Sequence, residues 1–253
     1  MRRLEGGFIN NVFLEDGIVV KVFSNDGLVG MSSYERLERE RRALSIFGGT
    51  LAPRLISSQG VVLRQEFIEG ESYETMARRR EEVFEAAGRI LAKIHRFQFP
   101  DRTLPPYYLG RFRRAVEYTR PILELEQISP VFEVAWDIIY EQGVRYVHGD
   151  FWLGNIIGKI GEDPKVIDWE FSRVGSPYED FAIVDLWIFR EFSGSEHDFW
   201  RGYGIRPDQE MINSFLVLKC VEFLATVTLE DYLKEENDGF YHNKITTLKS
   251  LIK

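Results

Sequence analysis

Between residues 146 and 170 the chain reads Tyr146-Val147-His148-Gly149-Asp150-Phe151-Trp152-Leu153-Gly154-Asn155-Ile156-Ile157-Gly158 and then Lys165-Val166-Ile167-Asp168-Trp169-Glu170. Ile156-Ile157 and Val166-Ile167 are short apolar runs joined by the turn-rich stretch Gly158 to Pro164. Runs of that kind pair as antiparallel strands. The pairing brings Asn155 and Asp168 together at the open end, where opposed residues lie about 4.5–5.5 Å apart at Cα. At that separation an amide oxygen and a carboxylate can share one hard cation. Magnesium suits them, because it takes oxygen ligands and is completed by water and substrate phosphates. Asp150, on the loop entering the hairpin, faces the same spot. A carboxylate beside such a clamp, and not needed for the metal, suits the acceptance of a proton from an attacking hydroxyl.

Upstream, Val12 to Leu14 and Ile18 to Phe23 are rich in β-formers and flank Glu15-Asp16-Gly17, so they predict a hairpin. Ser32 with Glu35 three residues later forms a capping box, and Gly48-Gly49 supplies the stop, which predicts a helix of about four turns. Leu37, Ala43, Leu44 and Phe47 make its inward stripe. Glu40 lies three residues after Leu37 and four before Leu44 and therefore projects from the same apolar face, whereas Glu35 and Glu38 point elsewhere. Beyond Pro53 a strand runs from Val61 through Gln65 to Ile68, and composition turns polar at Gly70. The rest reads as mostly helical. Val83, Ala87, Ile90, Leu91 and Ile94 recur at helical spacing, and Pro130 opens a second run closed by Gly143.

Charge and cysteine usage exclude several classes. Residues 1–100 carry 15 basic and 14 acidic side chains, but residues 101–253 carry 17 and 26. A surface with that acid excess repels a phosphate backbone, which argues against a nucleic-acid partner. The single cysteine, Cys220, cannot form an internal disulfide and sits in an apolar run, as a buried inert thiol would. No apolar h-region follows Met1-Arg2-Arg3, and the longest apolar stretch near the C-terminus is interrupted by Lys219 and Glu222. The expectation is a cytoplasmic protein without a membrane span.

His148-Gly149-Asp150 followed by Asn155, and then Ile167-Asp168-Trp169-Glu170, resemble the H-G-D-x-x-x-x-N and I-D-W-E motifs of the aminoglycoside phosphotransferase and choline kinase-like family, relatives of the protein kinases. Three further segments fit it. Ser176-Pro177-Tyr178-Glu179-Asp180-Phe181-Ala182 resembles the P-x-x-D-L-A segment, Gly6 to Asn11 the nucleotide-covering loop, and Leu51 to Leu55 the segment after the first helix. The resemblance implies Asp150 as catalytic base and Asn155 and Asp168 as metal ligands. It implies that Lys21 holds the nucleotide's phosphates with Glu40 as its ion-pair partner, and that backbone groups of Glu66 and Ile68 meet the purine base. His148 and Asp180 are expected to be scaffolding, Asp180 by accepting backbone N–H bonds from the catalytic loop. The absence of G-x-G-x-x-G, Gly149 in place of arginine and Trp-Glu after Asp168 point to a small-molecule kinase and away from a protein kinase.

The expected fold is α+β and bilobal, protein kinase-like. A small N-lobe of antiparallel strands with one helix spans 1–67, and a mainly helical C-lobe with the catalytic loop spans 68–253. The expected reaction uses Mg2+ and ATP or GTP to phosphorylate a hydroxyl of a small acceptor. Acids downstream of the metal site (Glu191, Glu196, Asp198, Glu222, Glu230, Asp231) and a surface of Trp152, Trp187 and Trp200 favour an amine-bearing one, while Arg111, Arg113 and Arg114 push the other way. The competing readings are protein Ser/Thr phosphorylation and nucleotide binding without turnover. The presence together of Asp150, Asn155, Asp168, Lys21 and Glu40 opposes the last, because a binding-only protein has no chemical use for Asp150.

Overall fold

The computed structural model describes residues 2–4, 10–24, 31–99, 110, 113, 115, 129–159, 161–224 and 250. Residues 6–9 of the nucleotide-covering loop, Arg111, Arg114, Glu230 and Asp231 lie outside the described residues.

Five antiparallel strands form the first sheet, in the order β1-β2-β3-β5-β4: β1 (Arg2–Arg3), β2 (Asn11–Glu15), β3 (Ile18–Val22), β4 (Leu55–Gln59) and β5 (Val62–Glu66). The β2–β3 hairpin turns at Asp16 and Gly17, with φ of 50° and 78°. Both values are left-handed, the backbone that matches the right-handed twist of the flanking strands. The sequence did not indicate β4. Its Leu-Ile-Ser-Ser-Gln is half exposed, kinked by a register shift between Leu55 and Ser57, and held on one side only. An edge strand of that kind has little need of alternation.

Helix α1 (Ser33–Phe47) starts and ends as its caps dictate. The Ser32 hydroxyl accepts from the Glu35 N–H at 3.1 Å, and the Gly48 N–H donates to the Leu44 carbonyl at 2.9 Å. Leu37, Ala43, Leu44 and Phe47 are buried, as expected. Phe47 stacks on Trp169 with ring centroids 5.0 Å apart, which ties the end of α1 to the segment carrying Asp168.

The remaining elements pack onto the same continuous hydrophobic core, which runs from Leu37 and Leu63 to Phe181 and Phe215. Strand β6 (Glu71–Ser72) leads into α2 (Tyr73–Arg78), and α3 (Phe84–Arg96) packs along the helix Ser195–Tyr203. Those two backbones approach through glycines: a Cβ on Gly88 would run into the Phe199 carbonyl, and one on Gly202 into that of Glu85. The helix Ser129–Gln142 closes at Gly143, and β7 (Arg145–Val147) pairs with β10 (Arg173–Gly175). The expected hairpin is present as β8 (Ile156–Gly158) and β9 (Lys165–Val166). Helices Tyr178–Val184 and Gln209–Leu224 pack together, and Cys220 is buried. Among the described residues no helix is long and apolar enough to cross a membrane.

Candidate active site

Lys21 points inward from β3, the middle strand of the first sheet, and its ammonium meets Glu40 Oε2 at 2.6 Å and Asp168 Oδ1 at 2.5 Å. Burial alone would depress this lysine's pKa, but Asp168, Glu40 and Glu170 outweigh it and hold the pKa above the usual lysine range. Glu40 is fully buried, and one of its oxygens, Oε1, has no hydrogen-bond partner. Glu40, Asp168 and Glu170 have carboxylate oxygens close enough to surround a cation, and the Lys21 ammonium takes that place, 3.9 Å from Glu170.

One side chain of this cluster escaped the sequence analysis. Arg36 is fully buried, donates from Nη1 to Glu170 Oε2 at 2.8 Å and to Asn10 Oδ1 at 2.9 Å, and donates from Nη2 to the Ser24 carbonyl at 2.7 Å. Asn10 Nδ2 in turn donates to Glu170 Oε2 at 2.7 Å. The spacing held the signal: Arg36 lies four residues before Glu40 and so shares the inward stripe. A buried arginine needs a carboxylate partner. That partner, Glu170, is 134 residues away in sequence.

The loop from His148 to Asn155, expected to be catalytic, is held by its backbone. Asp180 Oδ2 accepts from the His148 N–H at 2.8 Å and Asp180 Oδ1 from the Gly149 N–H at 2.7 Å, the scaffolding expected of it. His95, which the sequence analysis also missed, meets Asp180 Oδ2 at 3.0 Å through Nε2 and the Tyr203 hydroxyl at 2.9 Å through Nδ1. Burial opposes the ionised Asp180, but its bonds to His95 and to backbone N–H groups prevail and keep its pKa low. Gly149 has φ +83° and its α-carbon faces the Phe171 carbonyl, where a Cβ would sit 2.5 Å from the oxygen. His148 is buried, and burial lowers its pKa. It spans from the Ile167 carbonyl, 3.1 Å from Nε2, to the Asp150 N–H, 3.3 Å from Nδ1.

Asp150 and Asn155 are brought together: Asn155 Nδ2 donates to the Asp150 carbonyl at 2.9 Å and to its Oδ2 at 3.1 Å. Burial and the Asp168 charge push Asp150 up to about 7, against the pull of Lys219 and Asn155. The hairpin register differs from the expectation. Ile156 pairs with Val166 and the Ile167 N–H donates to the Asn155 carbonyl at 2.9 Å, so Asn155 opposes Ile167. Asp168 lies one residue beyond, turned back by a left-handed φ of 64°.

The donor set suits magnesium. Asn155 spends its amide nitrogen on Asp150, which leaves an oxygen as its remaining ligand atom, and the Asp168 side chain keeps about a third of its surface open (37%). Of the purine-side residues, Glu66 is partly committed. Its N–H donates to the Arg54 carbonyl at 2.9 Å and its carboxylate pairs with Arg54 at 3.0 Å, so the expectation of free backbone groups narrows to its carbonyl and to the half-buried Ile68.

The features expected to favour an amine-bearing acceptor split. Trp200 is a core residue, edge-on to Phe181, Phe199 and Tyr203. Trp152 and Trp187 are half-buried, with ring centroids 6.5 Å apart. Several of the acids are already paired: Glu196 with Arg206 at 2.7 Å, Asp198 with Arg201 at 2.9 Å and Glu222 with Lys219 at 2.5 Å. The excess of acid thus projects less field into the site than its count suggests.

A choline/ethanolamine kinase family protein from Mesorhizobium loti superposes with a TM-score of 0.71 at 16% identity, covering 100% of this chain and 87% of that one. The choline kinase LicA from Streptococcus pneumoniae gives 0.66 at 18% identity over 98% of this chain and 91% of its own. A spectinomycin phosphotransferase in complex with ADP and spectinomycin gives 0.62 at 15% identity, with 98% and 88% covered. These likenesses establish the bilobal, protein kinase-like α+β fold. In sequence, 121 residues are 30% identical to acyl-CoA dehydrogenase family member 10 of Mus musculus, a protein of which this chain spans 11% of the length. Residues 1–211 match the phosphotransferase enzyme family, and the chain belongs to it.

Proposed function

We propose that the protein transfers the γ-phosphoryl group of ATP or GTP to a hydroxyl of a small, amine-bearing molecule in the cleft between an N-lobe of residues 1–67 and a C-lobe of residues 68–253. The observation that carries this is the Lys21 ammonium joined to Glu40 and Asp168 at 2.6 and 2.5 Å, because it links sheet, helix and metal-binding hairpin in one charge cluster.

In this reading Lys21 holds the nucleotide's phosphates, with Glu40 fixing its position, while the Glu66 carbonyl and Ile68 meet the base. Asn155 and Asp168 would hold Mg2+, which when bound neutralises charge on the phosphates. Asp150 accepts the proton of the acceptor hydroxyl as that oxygen bonds to the γ-phosphorus, and the bond from phosphorus to the nucleoside diphosphate breaks. Asn155 Nδ2, at 3.1 Å, orients the Asp150 carboxylate for this step.

An amine-bearing acceptor is supported by the half-buried Trp152–Trp187 pair. Trp152 lies two residues beyond the proposed base, and an aromatic face attracts an ammonium. Choline, ethanolamine and spectinomycin, for which the structural relatives are named, each combine a hydroxyl with a basic or quaternary nitrogen. The test is a panel of amino alcohols, neutral polyols and a generic protein acceptor, with ATP and GTP in turn, Mg2+ present and product mass as the readout. Phosphorylation of amino alcohols is expected. Phosphorylation of a generic protein acceptor alone would overturn the proposal.

A further inference from the structure

The helix Gln209–Leu224 is apolar around its buried residues, with Phe215, Leu216, Val217, Leu218, Cys220 and Val221 all buried, yet Lys219 is buried among them. An i,i+3 ion pair with Glu222 does not account for this, since such a pair stabilises a helix by only about 0.2–0.5 kcal/mol while desolvating an ammonium is costly. Lys219 has a second partner, the carbonyl of Gly149, 3.4 Å from Nζ. That carbonyl belongs to the peptide unit leading into Asp150. The N–H of the same peptide is held by His148 Nδ1 at 3.3 Å, and the preceding N–H by Asp180.

The loop from His148 to Asn155 contains no lysine or arginine, although phosphoryl transfer gathers negative charge there. Lys219 also lies beyond residues 1–211, which the family match covers. We infer that Lys219 is a positioning residue for phosphoryl transfer: a cation lent to the catalytic loop by the helix Gln209–Leu224, it fixes the Gly149–Asp150 peptide so that the Asp150 carboxylate stays aimed at the acceptor hydroxyl, and Glu222 anchors it there. The field of Lys219 on Asp150 agrees with this placement. The inference deepens the phosphotransfer reading and rests on it.

The test uses the full chain, with MgATP as ligand and water as the acceptor. Calorimetry gives MgATP affinity, and phosphate release gives turnover. Lys219→Met should leave MgATP affinity unchanged and lower turnover by about tenfold to hundredfold, the cost of a small misplacement of a reacting group. Lys219→Arg should restore part of the loss. Unchanged turnover in Lys219→Met, or loss of MgATP binding in step with turnover, overturns the inference, because a merely structural lysine would damage both together. Should Lys219→Met fail to fold, Glu222→Gln leaves the lysine in place without its anchor and should give a smaller fall in turnover at unchanged affinity; no fall overturns the inference. Asp150→Asn run in parallel separates the two levels. Turnover insensitive to Asp150 removes the phosphotransfer reading itself, whereas turnover lost with Asp150→Asn but kept with Lys219→Met removes only the role of Lys219.

Discussion

The proposed nucleotide side and the proposed acceptor side of the cleft are built on opposite principles. Around Lys21, charges satisfy one another: two cations, Lys21 and Arg36, meet Glu40, Asp168 and Glu170, and most of the partners are buried. Around Asp150, the backbone is clamped and the half-buried side chain is left with few hydrogen bonds. Asp180 takes two N–H groups, His148 and Lys219 hold the next peptide, and Asp150 keeps only Asn155 as a side-chain hydrogen-bond partner among the described residues. The contrast follows from the two tasks. A phosphate-binding lysine has to be held in place before its anionic ligand arrives, whereas a base must keep a lone pair for the substrate proton.

If that division of labour is right, the two proposed aspartates separate cleanly. Asp150→Asn should lower turnover by about 10²- to 10⁴-fold with MgATP affinity intact, and Asp168→Ala should lose both. Calorimetry and phosphate release on the two variants check this, and equal loss of affinity would place Asp150 on the metal. The pH dependence has a definite sign. Because burial and Asp168 push Asp150 up to about 7, activity should rise with pH through that value as the carboxylate ionises. Stability runs the other way. A carboxylate with a raised folded pKa stabilises the fold below its unfolded pKa of about 3.9, and this contribution is lost as pH rises toward 7. At pH 8, therefore, Asp150→Asn should melt higher than the parent while being far less active, and a lower melting temperature would contradict it.

The charge cluster predicts a stability cost that the loop does not share. Lys21→Met leaves Glu40 and Glu170 buried with one cation fewer, and breaking such a pair costs on the order of 3 kcal/mol. Denaturant midpoints should show this, with part of the loss recovered in the double variant carrying Glu40→Gln, which removes the orphaned charge. A single variant as stable as the parent would mean that the cluster is well solvated. On the loop side, Asp180→Asn should cost about 1–3 kcal/mol, the price of leaving buried hydrogen-bonding groups imperfectly matched, and should lower turnover without changing MgATP affinity. The smallest effect is expected at Trp152→Ala. Loss of a cation–π contact of about 1 kcal/mol should raise KM for an amine-bearing acceptor severalfold and leave KM for the nucleotide alone, and an equal rise for a neutral polyol would take the aromatic pair out of amine recognition.

What the sequence determined by itself was local. The Asp16-Gly17 turn follows from two residues that accept left-handed backbone, and the start of α1 from one hydroxyl over one N–H. The inward direction of Glu40 follows from 3.6-residue periodicity, and the β8–β9 pairing from two short apolar runs. In each case every interacting group lies within a few residues or on one helical face, so spacing suffices. Tertiary structure decided the rest: Arg36 with Glu170 across 134 residues, His95 with Asp180 across 85, and Lys219 with Gly149 across 70. It also turned Asp168 one residue past the expected register, through a left-handed φ of 64° that nothing in the local spacing announces. A buried charge reads in sequence like any other charged residue, because what makes it tolerable is a partner that only the folded chain brings near.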